Sequence, residues 1–62
     1  MQNLGKHIRE IRENKKMTLL ELSRQTDIDQ ATLSRIENGK MVGTLPSHMK
    51  IAKALGMSVP DL

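Results

Sequence analysis

In the stretch DQATLSRIENG, Asp29 to Gly39, hydrogen-bonding side chains surround a narrow apolar seam made of Leu33 and Ile36. If the segment is helical, Gln30, Ala31, Ser34, Arg35 and Asn38 lie together on the side away from that seam. An amide, a methyl, a hydroxyl, a guanidinium and a second amide are groups suited to the edges of base pairs. Gln can be bidentate to adenine and Arg to guanine, Ala can touch the thymine methyl, and Ser can bond to several bases. Taken alone, the same pattern describes a solvated face on an ordinary helical bundle. The elements that must hold the segment separate the two readings.

Upstream, Leu4, Ile8 and Ile11 repeat at helical spacing among Lys6, Arg9, Glu10 and Glu13, which predicts an amphipathic first helix over residues 3–14 with Asn3 as its cap. Thr18 and Glu21 form a capping-box pattern ahead of a second helix, Leu19 to Thr26, with Leu19, Leu22, Ser23 and Thr26 on one face. Asp27 tolerates the left-handed conformation that ends a helix, Ile28 plugs the gap between helices, and Asp29 caps the third helix, Gln30 to Asn38. Two short helices joined so tightly must meet at a steep angle, as in a helix-turn-helix. After the stop signal at Gly39 and the loop KMVG, Thr44 caps a fourth helix with Pro46 in its first turn. Leu45, His48, Met49, Ala52 and Leu55 form its expected apolar stripe, and Gly56 ends it. Ser58, Pro60 and Asp61 repeat the start signal, so a fifth helix begins near residue 58 and stops within a turn, as a fragment or a frayed end would.

The chain has 62 residues, enough for one domain, 1–62, with the helix-turn-helix at about 18–38. It contains no Phe, Trp or Tyr, so its core is Leu, Ile, Met, Val and Ala, which suits packed helices better than sheets. Met17, Met49 and Met57 are expected as core filler, and Met41, Val42 and Leu20 as exposed. The absence of cysteine fits a reducing compartment, no apolar run approaches the roughly 20 residues of a membrane span, and MQNLGKHIRE lacks a signal-peptide core. The expectation is a soluble cytoplasmic protein. A net charge of +3 and a pI near 9.7 point mildly to a polyanionic partner. His7, read as a surface residue, and His48, read as a partly buried spacer, make a poor metal site without cysteines or clustered carboxylates. With no phosphate loop or nucleophile elbow either, neither metal, cofactor nor enzyme chemistry is expected.

The segments IREIRENKKMT, LLELSRQTDIDQATLSRIENG and LPSHMKIAKALGMSVPDL cover nearly the whole chain. Together they resemble the Cro and phage-repressor type of helix-turn-helix domain, the lambda-repressor-like (XRE-type) fold. The resemblance implies an all-α domain of four to five compact helices that binds double-stranded DNA in the major groove and regulates transcription, often as a homodimer on a two-fold operator. It places Gln30, Ala31 and Arg35 at base-reading positions, with Ser34 and Thr32 at bases or phosphates. Thr18, Asn38 and Lys40 fall at phosphate-contacting positions. Arg12 and Glu37 match an ion pair that ties helix one to the end of helix three. Leu19 replaces the usual Gln at the start of helix two, so that phosphate contact falls to Thr18 or to backbone N–H groups. Asp27 and Lys16 stand where Gly is usual, and His48 where an apolar residue is. A protein-interaction module that kept the fold, favoured by Leu19, Leu20, Met41 and Val42, is the alternative. An antitoxin or restriction-modification controller, each still binding DNA, remains open as well.

Overall fold

The computed structural model describes residues 4–57. Asn3 as a cap, and the fifth helix expected from Ser58, lie outside these residues. Within them the chain forms α1 (Leu4–Asn14), α2 (Leu19–Thr26), α3 (Gln30–Glu37) and α4 (Leu45–Ala54). α2 packs against both α3 and α4, and α1 closes the other side of α3. Ile8, Leu22, Leu33, Ile36, Ile51, Ala52 and Leu55 are buried at the centre, with Leu4, Ile11, Met17, Leu19, Ile28, Ala54 and Met57 packed around them. Each fully buried Leu or Ile contributes roughly 1.5–3 kcal/mol relative to exposure.

The helix ends follow from side-chain chemistry. Thr18 accepts a hydrogen bond from the Glu21 N–H, and the Thr18 N–H donates back to the Glu21 carboxylate. Asp29 and Thr44 accept from the N–H groups of Thr32 and Ser47 at the starts of α3 and α4. At the other ends, Lys16, Gly39 and Gly56 are left-handed, and the next residue's N–H reaches five residues back: Met17 to Arg12, Lys40 to Arg35, Met57 to Ala52. Lys16 therefore occupies, at φ 56°, a position that glycine would take without strain.

Two expectations for α4 need correction. Leu45 and Met49 are 62% and 55% exposed, and Ile51, which the expected stripe omitted, is fully buried. The buried arc runs through His48, Ile51, Ala52 and Leu55, rotated away from Leu45 and Met49. The apolar residues of α4 span a wider arc than its main neighbour, α2, can cover. The β-branched Ile51 takes the central place, and the residues at one edge of the arc stay in solvent. Met17 and Met57 pack against the core, whereas Met41, Val42 and Leu20 are exposed.

Gly5 was not singled out by any periodicity. It is buried, and a Cβ built on it would sit 1.9 Å from the Ile36 carbonyl oxygen. The backbone of α1 therefore rests directly on the last turn of α3, an approach that no other residue permits.

Candidate nucleic-acid interface

The turn that joins α2 and α3 is fixed by three side chains. The Ser23 hydroxyl donates to the Ile28 carbonyl at 2.6 Å. The buried Thr26 hydroxyl donates to the Leu22 carbonyl at 2.7 Å and accepts from the Ile28 N–H at 3.3 Å. Asp27 closes α2 in the left-handed conformation at φ 61°. Ile28 then drops towards the core and Asp29 starts α3. With the backbone groups around Ile28 bonded on both sides, the crossing of the two helices is set locally.

The inner side of α3 is sealed. Leu33 and Ile36 are buried, and Glu37 is buried with them. Arg12 of α1 donates through Nε to Glu37 Oε2 at 2.7 Å and through Nη2 to Oε1 at 3.0 Å. Its remaining Nη1 donates to the Met17 carbonyl at 2.8 Å, so one guanidinium joins α1, the α1–α2 loop and the end of α3. The two side chains are only 12% and 5% exposed, so the pair is no surface bridge. Hydrogen bonding to Glu37 outweighs burial and holds Arg12 still more firmly protonated than usual.

The outer side is polar and open. Gln30, Ala31, Arg35, Asn38 and Lys40 are exposed, and Ser34 and Thr32 are half-buried. Asn38 caps the C-terminus of α3 rather than ending within it. Its amide donates to the Ser34 hydroxyl at 3.3 Å, which leaves the Ser34 proton and the second Asn38 hydrogen for another partner. Thr32 differs: its hydroxyl donates to Asp29 at 2.7 Å, so that proton is already engaged. Asp29 is held below the ordinary carboxyl range by the hydrogen bonds from Thr32 and, to a smaller degree, by the charge of Arg35.

At the start of α2, the Thr18 hydroxyl accepts from Glu21 and keeps its own proton for donation. The Leu19 side chain packs against the core, and its backbone N–H, in the first turn of the helix, has no partner within the helix. The Leu19 N–H and the Thr18 hydroxyl thus sit at the positive end of the α2 dipole, beside the Glu21 carboxylate that already takes the Thr18 N–H. His7 is half-buried. Among the described residues no three His, Cys, Asp or Glu side chains come together in a way that could hold a metal ion, and no helix is long and apolar enough to cross a membrane.

Sequence reasoning missed Gly5, the Thr26 hydroxyl and the depth of the Arg12–Glu37 pair. A small residue on an otherwise amphipathic helix was the only signal for the first, and a threonine on an apolar face the only one for the second.

Among the described residues, four helices with a three-residue turn between α2 and α3, and a polar ridge on the outer side of α3, define a helix-turn-helix domain. Residues 8–62 match the Helix-turn-helix family model, and the chain belongs to this family, in its XRE-type branch. It is 38% identical over 56 residues to the HTH-type transcriptional repressor RghR of Bacillus subtilis, an alignment covering 89% of this chain and 42% of that protein. It is 37% identical over 60 residues to the uncharacterized HTH-type transcriptional regulator RghRB of the same organism, covering 97% of this chain and 42% of the relative. The chain therefore spans about two fifths of the length of these relatives. No solved structure matches the chain significantly.

Proposed function

We propose that this chain binds double-stranded DNA sequence-specifically and serves as the DNA-reading domain of a cytoplasmic transcriptional regulator, acting as a repressor. The observation that carries the reading is the two-sided construction of α3. Its inner side is clamped by the core and by the Arg12–Glu37 pair, while its outer side offers Gln30, Ala31, Ser34 and Arg35. A helix held so firmly from behind presents its outer groups at fixed spacing, as recognition in the major groove requires.

In this reading Gln30, Ala31, Ser34 and Arg35 read bases. Thr18, the Leu19 N–H, Asn38 and Lys40 hold phosphates on either side. Thr32 contributes through its place beside Asp29 rather than by donating its engaged proton. The domain works as a homodimer, each copy filling one half-site of a two-fold operator. That the relatives bear the names transcriptional repressor and transcriptional regulator supports the regulatory role.

Two substitutions test the assignment together. Arg35→Ala should cost roughly 1–3 kcal/mol on the preferred duplex and relax specificity at one base pair. Lys40→Ala should weaken binding to all duplexes alike and reduce the dependence of log Kd on log salt by about one unit. Equal losses on preferred and scrambled DNA for Arg35→Ala would remove it from the readers.

The second reading, a protein-interaction module, is favoured by the apolar side chains left in solvent at Leu20, Met41, Val42, Leu45 and Met49. Failure to bind any duplex at low salt would select it.

A further inference from the structure

The segment that follows α3 is pinned at both ends. At its front, the Gly39 N–H donates to the Ile36 carbonyl at 3.1 Å and the Lys40 N–H to the Arg35 carbonyl at 2.8 Å. At its back, His48 Nε2 bonds the Val42 carbonyl, reaching across from α4. A carbonyl brings no proton, so the ring carries its hydrogen on Nε2 and donates. Gly43 follows at φ 85°, and a Cβ there would lie 3.2 Å from Ile36 Cδ1 and 3.4 Å from His48 Nε2. The chain thus passes closely over the core and over the imidazole.

Between the two anchors, Met41 and Val42 are 40% and 72% exposed, and neither belongs to the hydrophobic core. Without the bond to His48, the backbone from Met41 to Gly43 would be held by the cap of α3 before it, by the close fit of Gly43 over Ile36 and by Thr44 after it, with no hydrogen bond at Val42.

We infer that His48 is a positioning residue for DNA binding, which latches the 41–43 segment and so restrains the outgoing side of Lys40, whose N–H already ties its incoming side to α3. This rests on the DNA-binding reading above. Lys40 is a long, flexible cation, and its contribution at one phosphate depends on how little its stem can wander. The ring acts through the backbone and does not itself touch DNA. An apolar side chain of similar size at position 48 would keep the packing and lose the latch.

The test uses the 62-residue chain and the variants His48→Leu, His48→Gln, Lys40→Ala and the His48→Leu/Lys40→Ala pair. Thermal melts confirm that each variant is folded. NMR order parameters of the amides at 41–43 report the latch, with the wild type expected near about 0.85 and His48→Leu below about 0.6. Duplex DNA selected with the wild type reports the consequence. His48→Leu should weaken binding about 3- to 10-fold, the worth of one hydrogen bond, and lower the salt slope towards that of Lys40→Ala. His48→Gln, which keeps an N–H donor, should restore most of both. In the Lys40→Ala background His48→Leu should have little further effect. A loop that stays ordered in His48→Leu overturns the latch. A loosened loop with unchanged affinity and salt slope, or additive losses in the double variant, overturns the positioning role. If the wild type binds no duplex, the DNA role falls with the reading beneath it, while the order parameters still decide the latch.

Discussion

The two sides of α3 are built by opposite rules. The inner side spends every group on the protein: Leu33 and Ile36 are buried, Glu37 is held by two hydrogen bonds from Arg12, and the Ile36 carbonyl lies under Gly5. The outer side leaves Gln30, Ala31 and Arg35 uncommitted to the core. One helix of eight residues thus carries both the contacts with Gly5 and Arg12 of α1 and the proposed reading surface. The lesson is that precision on the outside is supplied from the inside. Substitutions on the inner side should be felt in stability, and those on the outer side in binding alone.

The sharpest way to break that division is at Glu37. Glu37→Ala leaves the Arg12 charge largely buried without its partner and should destabilise the chain by about 3 kcal/mol or more in denaturant titrations. Replacing both residues, as Arg12→Met with Glu37→Met, should recover most of that loss, because the desolvation of two charges is removed with their attraction. The double variant should still bind DNA less specifically, since the guanidinium also holds the Met17 carbonyl and with it the entry to α2. Full specificity in a stable double variant would show that the pair does not set the geometry of α3.

Gly5→Ala comes next. Alanine is the better helix former, yet its methyl would meet the Ile36 carbonyl, so the gain in propensity, about 1 kcal/mol, should be overrun by displacement of α1. A net loss of roughly 2–3 kcal/mol is expected in urea unfolding. Arg35→Ala, on the outer side, should leave the same unfolding curve within about 0.5 kcal/mol of wild type.

Lys16→Gly works in the opposite direction. The left-handed backbone at this position is strained for lysine, so glycine should stabilise the chain by up to about 1 kcal/mol, seen as a higher Tm. No change in DNA binding should accompany it.

The smallest effect is that of acid. Glu21 and Asp29 cap the two helices of the turn, and both carboxyls are held below their ordinary values, near 4.5 and 3.8, chiefly by hydrogen bonds from Thr18 and Thr32 respectively. A carboxyl whose folded pKa lies below its unfolded one adds stability that is fully present above the unfolded value. That contribution is lost as the pH falls through the folded value. Melts recorded from pH 6 down to below 3.8 should therefore show a declining Tm, and Asp29→Asn should flatten part of the decline.

Much of this construction is legible in the sequence because it is local. Thr18 with Glu21, Asp29 three residues before Thr32, and Gly39 and Gly56 at helix ends are signals that act within one turn, and the structure places a cap at each. Leu33 and Ile36 announce the inner side of α3 by spacing alone. The Arg12–Glu37 contact spans 25 residues and came from resemblance, which gave the partners but not their burial. What stayed hidden depends on how helices cross. Gly5 is decisive only because α3 lies against it, and Leu45 and Met49 are exposed only because α4 is turned towards α2 through Ile51. His48 reads as a spacer on α4 until the loop carbonyl it holds comes into view.

Whether α3 reads DNA is decided by a binding selection on random duplexes with the 62-residue chain, scored at two salt concentrations. If α3 reads bases, a motif should be enriched whose affinity falls as salt rises, with half-sites about one helical turn apart, roughly 34–36 Å, when two copies bind. Salt-sensitive binding with no motif would reduce α3 to a basic surface, and no binding at low salt would rule out DNA reading by this helix.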